Sequence, residues 1–219
     1  MITDKFIHVH IPRTGGRSIS EVLSKNGNFI VYNKVPFLTL DRSLVALEKS
    51  NPGLSVPSFC IVRNPWDWYV SAFMLTKGRK LSMKRIKVDN KEKHDKHIKI
   101  EDFHEFLNKL KEAKSSGKKA RGAQWMKKAC LSDYFNFMVS SGVDHIVKFE
   151  NIATELPDLL FSFDIGMTKG KIANELSKAS AKKSWHNHYS TYYTEETKQL
   201  VTDLDKDYID QFGYTFEEI

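Results

Sequence analysis

Along the first half of the chain, apolar residues occur in two patterns that take turns: short continuous or alternating runs, and runs with helical spacing. Residues 5–11 (KFIHVHI) form the first strand-like run, which stops at Pro12 and a glycine pair. Ile19, Val22 and Leu23 then follow at helical spacing, predicting strand, turn, helix. Residues 29–32 read as a second strand. Asp41 is placed to cap a helix through Leu44, Ala46 and Leu47 that ends near Asn51-Pro52-Gly53. Residues 58–62 (SFCIV) are continuously apolar, as a strand in the buried middle of a parallel sheet would be. Pro65 follows at the first position of another predicted helix.

The second half is less regular. Residues 79–99 have no clean period and are expected to be a loop or excursion. Residues 101–113 carry Phe103, Phe106, Leu107 and Leu110 on one helical stripe, and residues 115–122 (SSGKKARG) read as a link. Residues 144–149 predict a further strand and residues 151–163 a helix with an early Pro157. The closing helix starts at a Thr194 cap with Glu195 and Glu196 in its first turn. It buries Leu200, Val201, Leu204, Tyr208 and Phe212 and ends at Gly213. The alternation predicts an α/β fold: one domain over residues 1–219, a parallel sheet flanked by helices, and a basic excursion at about residues 77–123.

Charge adds to this picture because it is uneven. The net charge is +7, yet residues 79–99 carry nine basic side chains against three acidic ones. Residues 109–128 carry eight against one. Two such stretches suit an anionic ligand or polymer. Two cysteines do not make a disulfide framework, and Cys60 reads as a buried thiol. The first residues lack the features of a secretory signal, and no apolar run is long enough to span a membrane. A cytoplasmic protein is the expectation.

Ligands of parallel α/β sheets bind at the carboxyl ends of the strands. Two segments with suitable chemistry fall there. In Pro12-Arg13-Thr14-Gly15-Gly16-Arg17-Ser18, the glycines allow close backbone approach, and the helix start adds N–H donors and a positive dipole end. Arg13, Thr14, Arg17 and Ser18 can add hydrogen bonds to phosphate or sulfate oxygens. The segment is not a Walker A loop, because Ile11 replaces the first glycine and Arg17 the lysine. In the second segment Arg63 ends a strand, and Ser71 lies about two helical turns into the next helix, placed to share a phosphate with it. Trp66 and Trp68 are expected in the core.

Together these segments resemble the sulfotransferases that use 3′-phosphoadenosine-5′-phosphosulfate (PAPS), especially the carbohydrate type that includes heparan and chondroitin sulfotransferases. HIPRTGGRS is similar to that family's 5′-phosphosulfate loop and FCIVRNPWDWYVSAF to its 3′-phosphate motif. VDHIVKFEN, the preceding Gln124, and YYTEETKQLVTDLDKDYIDQFGYTF resemble later family segments in the same order.

The resemblance implies a nucleotide-kinase-like P-loop architecture, PAPS as donor, 3′-phosphoadenosine-5′-phosphate (PAP) as product, and no metal. It implies that Arg13, Thr14, Gly15, Gly16, Arg17 and Ser18 hold the 5′-phosphosulfate, and Arg63 with Ser71 the 3′-phosphate. Lys183 and Ser184 would fold over the nucleotide. Arg13 stands where the family usually has lysine, and Trp68 where it has arginine. The acceptor's general base is expected at Asp41, with His10, Glu48, His186 and His188 open. The acceptor itself is a hydroxyl or amine, on a glycan or other anionic substrate near the basic stretches, and no nucleic acid is expected. A P-loop-like nucleotide kinase or NTPase, and a non-catalytic polyanion-binding module, are the competing classes.

Overall fold

The computed structural model describes residues 1–26, 44–49, 52–83, 100–116, 130–139, 142–180 and 186–219. The expected strand at residues 29–32, Gln124, Asp41, Lys183 and Ser184 lie outside the described residues. So does most of the two basic stretches.

Among the described residues the element order is β1 (Ile7–Val9), α1 (Gly16–Asn26), α2 (Leu44–Lys49), β2 (Ser58–Val62), α3 (Pro65–Met83), α4 (Ile100–Ser115), α5 (Leu131–Met138) and β3 (His145–Lys148). A 3-10 turn (Phe149–Asn151), α6 (Ile152–Ser162), α7 (Lys169–Ser180), a second 3-10 turn (Tyr189–Tyr192), α8 (Glu195–Leu204) and α9 (Lys206–Phe212) complete it. The fold is α/β. The chain divides into two compact units, residues 1–63 with 135–183 and residues 64–134 with 184–219.

The first unit holds the sheet. Its strands are all parallel, in the order β1-β2-β3, with His8 beside Phe59 and Cys60 beside Ile146. The central strand β2 is buried at every position, which is why it reads as an unbroken apolar run. Cys60 sits inside it, and burial pushes its thiol up to about 12. Phe6, Phe59, Ile61 and Val147 form one core with Ile19, Val22 and Leu23 of α1, Leu156 and Leu160 of α6, and Ile172 and Leu176 of α7. Phe6 packs on Phe59 and Phe163 at 5.6 and 5.7 Å between ring centres. Fully buried side chains of this size contribute about 1.5–3 kcal/mol each. At the start of β2, the Asp144 carboxylate accepts from both the Ser58 amide and hydroxyl at 2.7 Å. Those two bonds hold its pKa below the usual value.

The second unit is helical. Pro65 opens α3 as expected, and the cap is the side chain of Asn64, whose Oδ1 accepts from the amides of Trp66 and Asp67. The Asn64 amide also donates to the Thr215 carbonyl at 3.1 Å, tying the closing segment to the start of α3. Trp66 and Trp68 are buried, as expected.

Two expectations need correction, and two helices, α5 and α7, had no counterpart in the sequence reading. Residues 79–83 belong to α3 rather than to an excursion. The helix α7 went unpredicted, because only Ile172 and Leu176 mark its inner face in a polar stretch. The closing helix is two helices, α8 and α9, interrupted at Asp205. The cause is a buried polar knot: the Asp205 carboxylate accepts from the Tyr69 hydroxyl at 2.7 Å and the Ser132 amide at 2.8 Å. Thr194 does cap α8, through a reciprocal exchange with Thr197. Among the described residues, no helix is long and apolar enough to cross a membrane.

Candidate functional site

Parallel pairing puts the carboxyl ends of β1, β2 and β3 on one edge of the sheet, and the residues that follow the three strands meet there. The chain leaves β1 through His10, Ile11 and Pro12 and turns into α1 at Gly16. Two residues of this turn have left-handed backbone: Arg13 with φ 67° and Gly15 with φ 80°. For glycine that conformation is free of strain, whereas for a residue with a Cβ it costs on the order of 1–2 kcal/mol. Something must therefore hold Arg13 in place.

Two contacts do. The Thr14 side chain is fully buried, and its hydroxyl donates to the Ile11 carbonyl at 2.7 Å, closing the turn from within. The second contact comes from the next strand. Arg63, immediately after β2, is 3% exposed, and its Nη1 donates to the Arg13 carbonyl at 2.8 Å. The guanidinium carbon lies 4.4 Å from the centre of the Phe149 ring, and Phe149 is the first residue after β3. A cation over an aromatic face is stabilised, more so when both are withdrawn from water.

The two glycines have separate reasons. A Cβ at Gly15 would lie 3.0 Å from Cε2 of Phe149, so the ring under Arg63 also lies under Gly15. A Cβ at Gly16 would lie 2.2 Å from Cδ2 of His10 and 2.5 Å from its Nε2. The start of α1 therefore rests on the His10 imidazole, and a Cβ there fits only if that ring or the helix start shifts. Behind His10, at 5.9 Å between ring centres, is His8. It is fully buried and stacked on Phe59 at 4.7 Å, and among the described residues its two ring nitrogens have no hydrogen-bond partner. Burial first, and then the N-terminal ammonium and His10, hold its pKa well below the usual imidazole value. His8 is neutral.

The structure thus brings Arg13, Thr14, Gly15, Gly16 and Arg63 together within the first unit. Arg17 and Ser18 lie in the first turn of α1, their side chains outside the described residues. Ser71 lies in α3 in the second unit and is fully buried. Glu48 is exposed on α2. His186 places Nδ1 2.7 Å from the Asn187 carbonyl, with Nε2 3.7 Å from the Asp67 carboxylate. His188 caps the second 3-10 turn, its Nδ1 facing Ser190.

The sequence reading missed Phe149 and His8. A signal for His8 was present, because the alternation of a strand sets Phe6, His8 and His10 on one face. Phe149 carried only its place at the end of an apolar run and within the VDHIVKFEN segment. The chain matches no family model, no curated protein and no solved structure.

Proposed function

We propose that this chain is a sulfotransferase, moving a sulfuryl group from PAPS to an acceptor hydroxyl or amine. The observation that carries the reading is the meeting of three strand ends on one buried arginine. Arg63 donates to the Arg13 carbonyl, lies over Phe149, and faces a glycine turn that leads into a helix. A polyanionic nucleotide suits this donor set: residues 12–18 carry two arginines and no carboxylate, and the turn lies at the N-terminus of α1. The parallel three-stranded sheet fits the nucleotide-kinase-like P-loop architecture of sulfotransferases. The ordered resemblance of HIPRTGGRS and FCIVRNPWDWYVSAF to that family's nucleotide motifs supports the same reading.

In this reading Arg13 and the backbone donors of residues 14–16 hold the 5′-phosphosulfate, and Arg63 holds the 3′-phosphate. The shares of Arg17, Ser18, Ser71, Lys183 and Ser184 rest on the resemblance alone. PAPS, when bound, supplies the sulfuryl group. A bond forms between the acceptor oxygen or nitrogen and sulfur, and the bond from sulfur to the bridging phosphate oxygen breaks. The electron pair leaves with PAP, and the acceptor's proton passes to a base, for which Asp41 is proposed. The chain's own work is to orient the donor and stabilise charge on the leaving oxygen. Arg13 supplies fixed positive charge there and, unlike lysine, gives up no proton.

The test is transfer of label. Chain incubated with ³⁵S-labelled PAPS and desulfated glycans, without divalent metal, is expected to move label to the glycan. Label that stays on PAPS while ATP with Mg²⁺ is consumed would overturn the reading in favour of a kinase or NTPase.

A further inference from the structure

We propose that Arg63 is a positioning residue for the 5′ loop as well as a ligand of the 3′-phosphate, so that one guanidinium couples the two ends of the nucleotide. The inference rests on the reading of the site as a nucleotide site and deepens it.

Three observations support it. Arg13 has the left-handed backbone that a residue with a Cβ adopts only when its surroundings insist, and Arg63 Nη1 is bonded to its carbonyl at 2.8 Å. Arg63 is itself fixed, 3% exposed with its guanidinium on the Phe149 ring. The same ring lies 3.0 Å from where a Gly15 Cβ would be, so Arg63, Phe149, Gly15 and the Arg13 peptide form one packed unit. A planar guanidinium has five N–H donors in a rigid fork, so it can bond a backbone carbonyl and an anion together. Lysine has the charge without the fork. A residue that only met the 3′-phosphate would have no effect on ligands lacking that group.

That difference is measurable. The full-length chain and its Arg63→Lys and Phe149→Leu variants are titrated calorimetrically with PAP and with adenosine 5′-monophosphate, which has no 3′-phosphate. Both variants are expected to bind the monophosphate about tenfold more weakly or worse, as befits a lost hydrogen bond to a charged donor. Phe149→Leu serves as the second variant because its side chain carries no group that can bond a phosphate. In ¹⁵N-labelled protein without ligand, the Gly15 and Gly16 amide resonances are expected to move in both variants while those of Gly166 and Gly213 stay. Wild-type affinity for the monophosphate in both variants, with unmoved Gly15 and Gly16 resonances, overturns the proposal. If the wild-type chain binds neither nucleotide, the sulfotransferase reading falls, and the resonances alone still decide whether Arg63 shapes the loop.

Discussion

Two helix starts in this protein are built in opposite ways. The start of α8 is self-sufficient. Thr194 and Thr197 exchange side-chain and backbone hydrogen bonds, and Glu195 and Glu196 bring negative charge to the positive end of the dipole. The start of α1 is different. Its first residue is Gly16, its first turn holds no acidic side chain, and the turn before it carries Arg13 in a strained conformation. The effort there goes instead into shape, with His10 under Gly16, Phe149 under Gly15 and Arg63 on the Arg13 carbonyl. The lesson is that α8 is capped by its own side chains, whereas the turn into α1 is held by residues at the ends of the three strands.

The sharpest way to break this comparison is Gly16→Ala. The new methyl would sit 2.2 Å from the His10 ring, so either that side chain or the start of α1 must shift. Overpacking of this kind costs about 1–3 kcal/mol. Nucleotide binding, measured by calorimetry, is expected to be lost, and the double variant His10→Ala/Gly16→Ala is expected to recover much of it. Equal loss in single and double variants would mean that His10 is not the obstacle.

Asp205→Ala, at the knot in the second unit, acts on stability rather than on nucleotide binding. It strands the buried Tyr69 hydroxyl and the Ser132 amide, and about 2–4 kcal/mol of stability should go, read from urea denaturation. The Gly15 and Gly16 amide resonances should not respond.

His8 yields a pH effect of intermediate size. Its folded pKa lies well below that of the unfolded chain, through burial first and then the N-terminal ammonium and His10. The unfolded chain therefore takes up a proton near pH 6.5 that the folded chain refuses. The stability linked to the neutral ring is complete above that pH and is lost as the pH falls toward the folded value, by up to about 1.4 kcal/mol per pH unit. His8→Phe keeps the stack on Phe59 and removes the titration. Its melting temperature is expected to fall less than that of the wild type between pH 7 and pH 5. Identical acid sensitivity would show that His8 is not the group responsible.

The smallest effect is expected from Thr194→Ala. Loss of a capping side chain costs about 1 kcal/mol and should lower the melting temperature of the chain without touching nucleotide affinity.

How much of this could be read beforehand depends on the range of the cause. The central strand was legible at its exact limits, residues 58–62, because burial on both faces leaves an unbroken apolar run. The turn from β1 into α1 was legible because glycines and a proline are local signals. The break at Asp205 was not, since the helical pattern runs straight through it and the partners, Tyr69 and Ser132, are far away in sequence. The meeting of Arg63 with Arg13 was missed for the same reason. Arg63 stood out as a strand-end arginine, but its carbonyl partner lies fifty residues back and its aromatic support eighty-six residues on. The two glycines looked alike in sequence, and only their neighbours, Phe149 and His10, tell them apart.

The central claim, that the Arg13 turn and Arg63 make one nucleotide site, is tested most directly by calorimetric titration with PAP in the absence of metal. ATP with Mg²⁺ serves as the control, and Arg63→Ala is measured beside the wild type. The account predicts tight binding of PAP to the wild-type chain, loss of that binding in Arg63→Ala, and no preference for ATP with Mg²⁺. A wild-type chain that ignores PAP, or an Arg63→Ala variant that binds it undiminished, would contradict it.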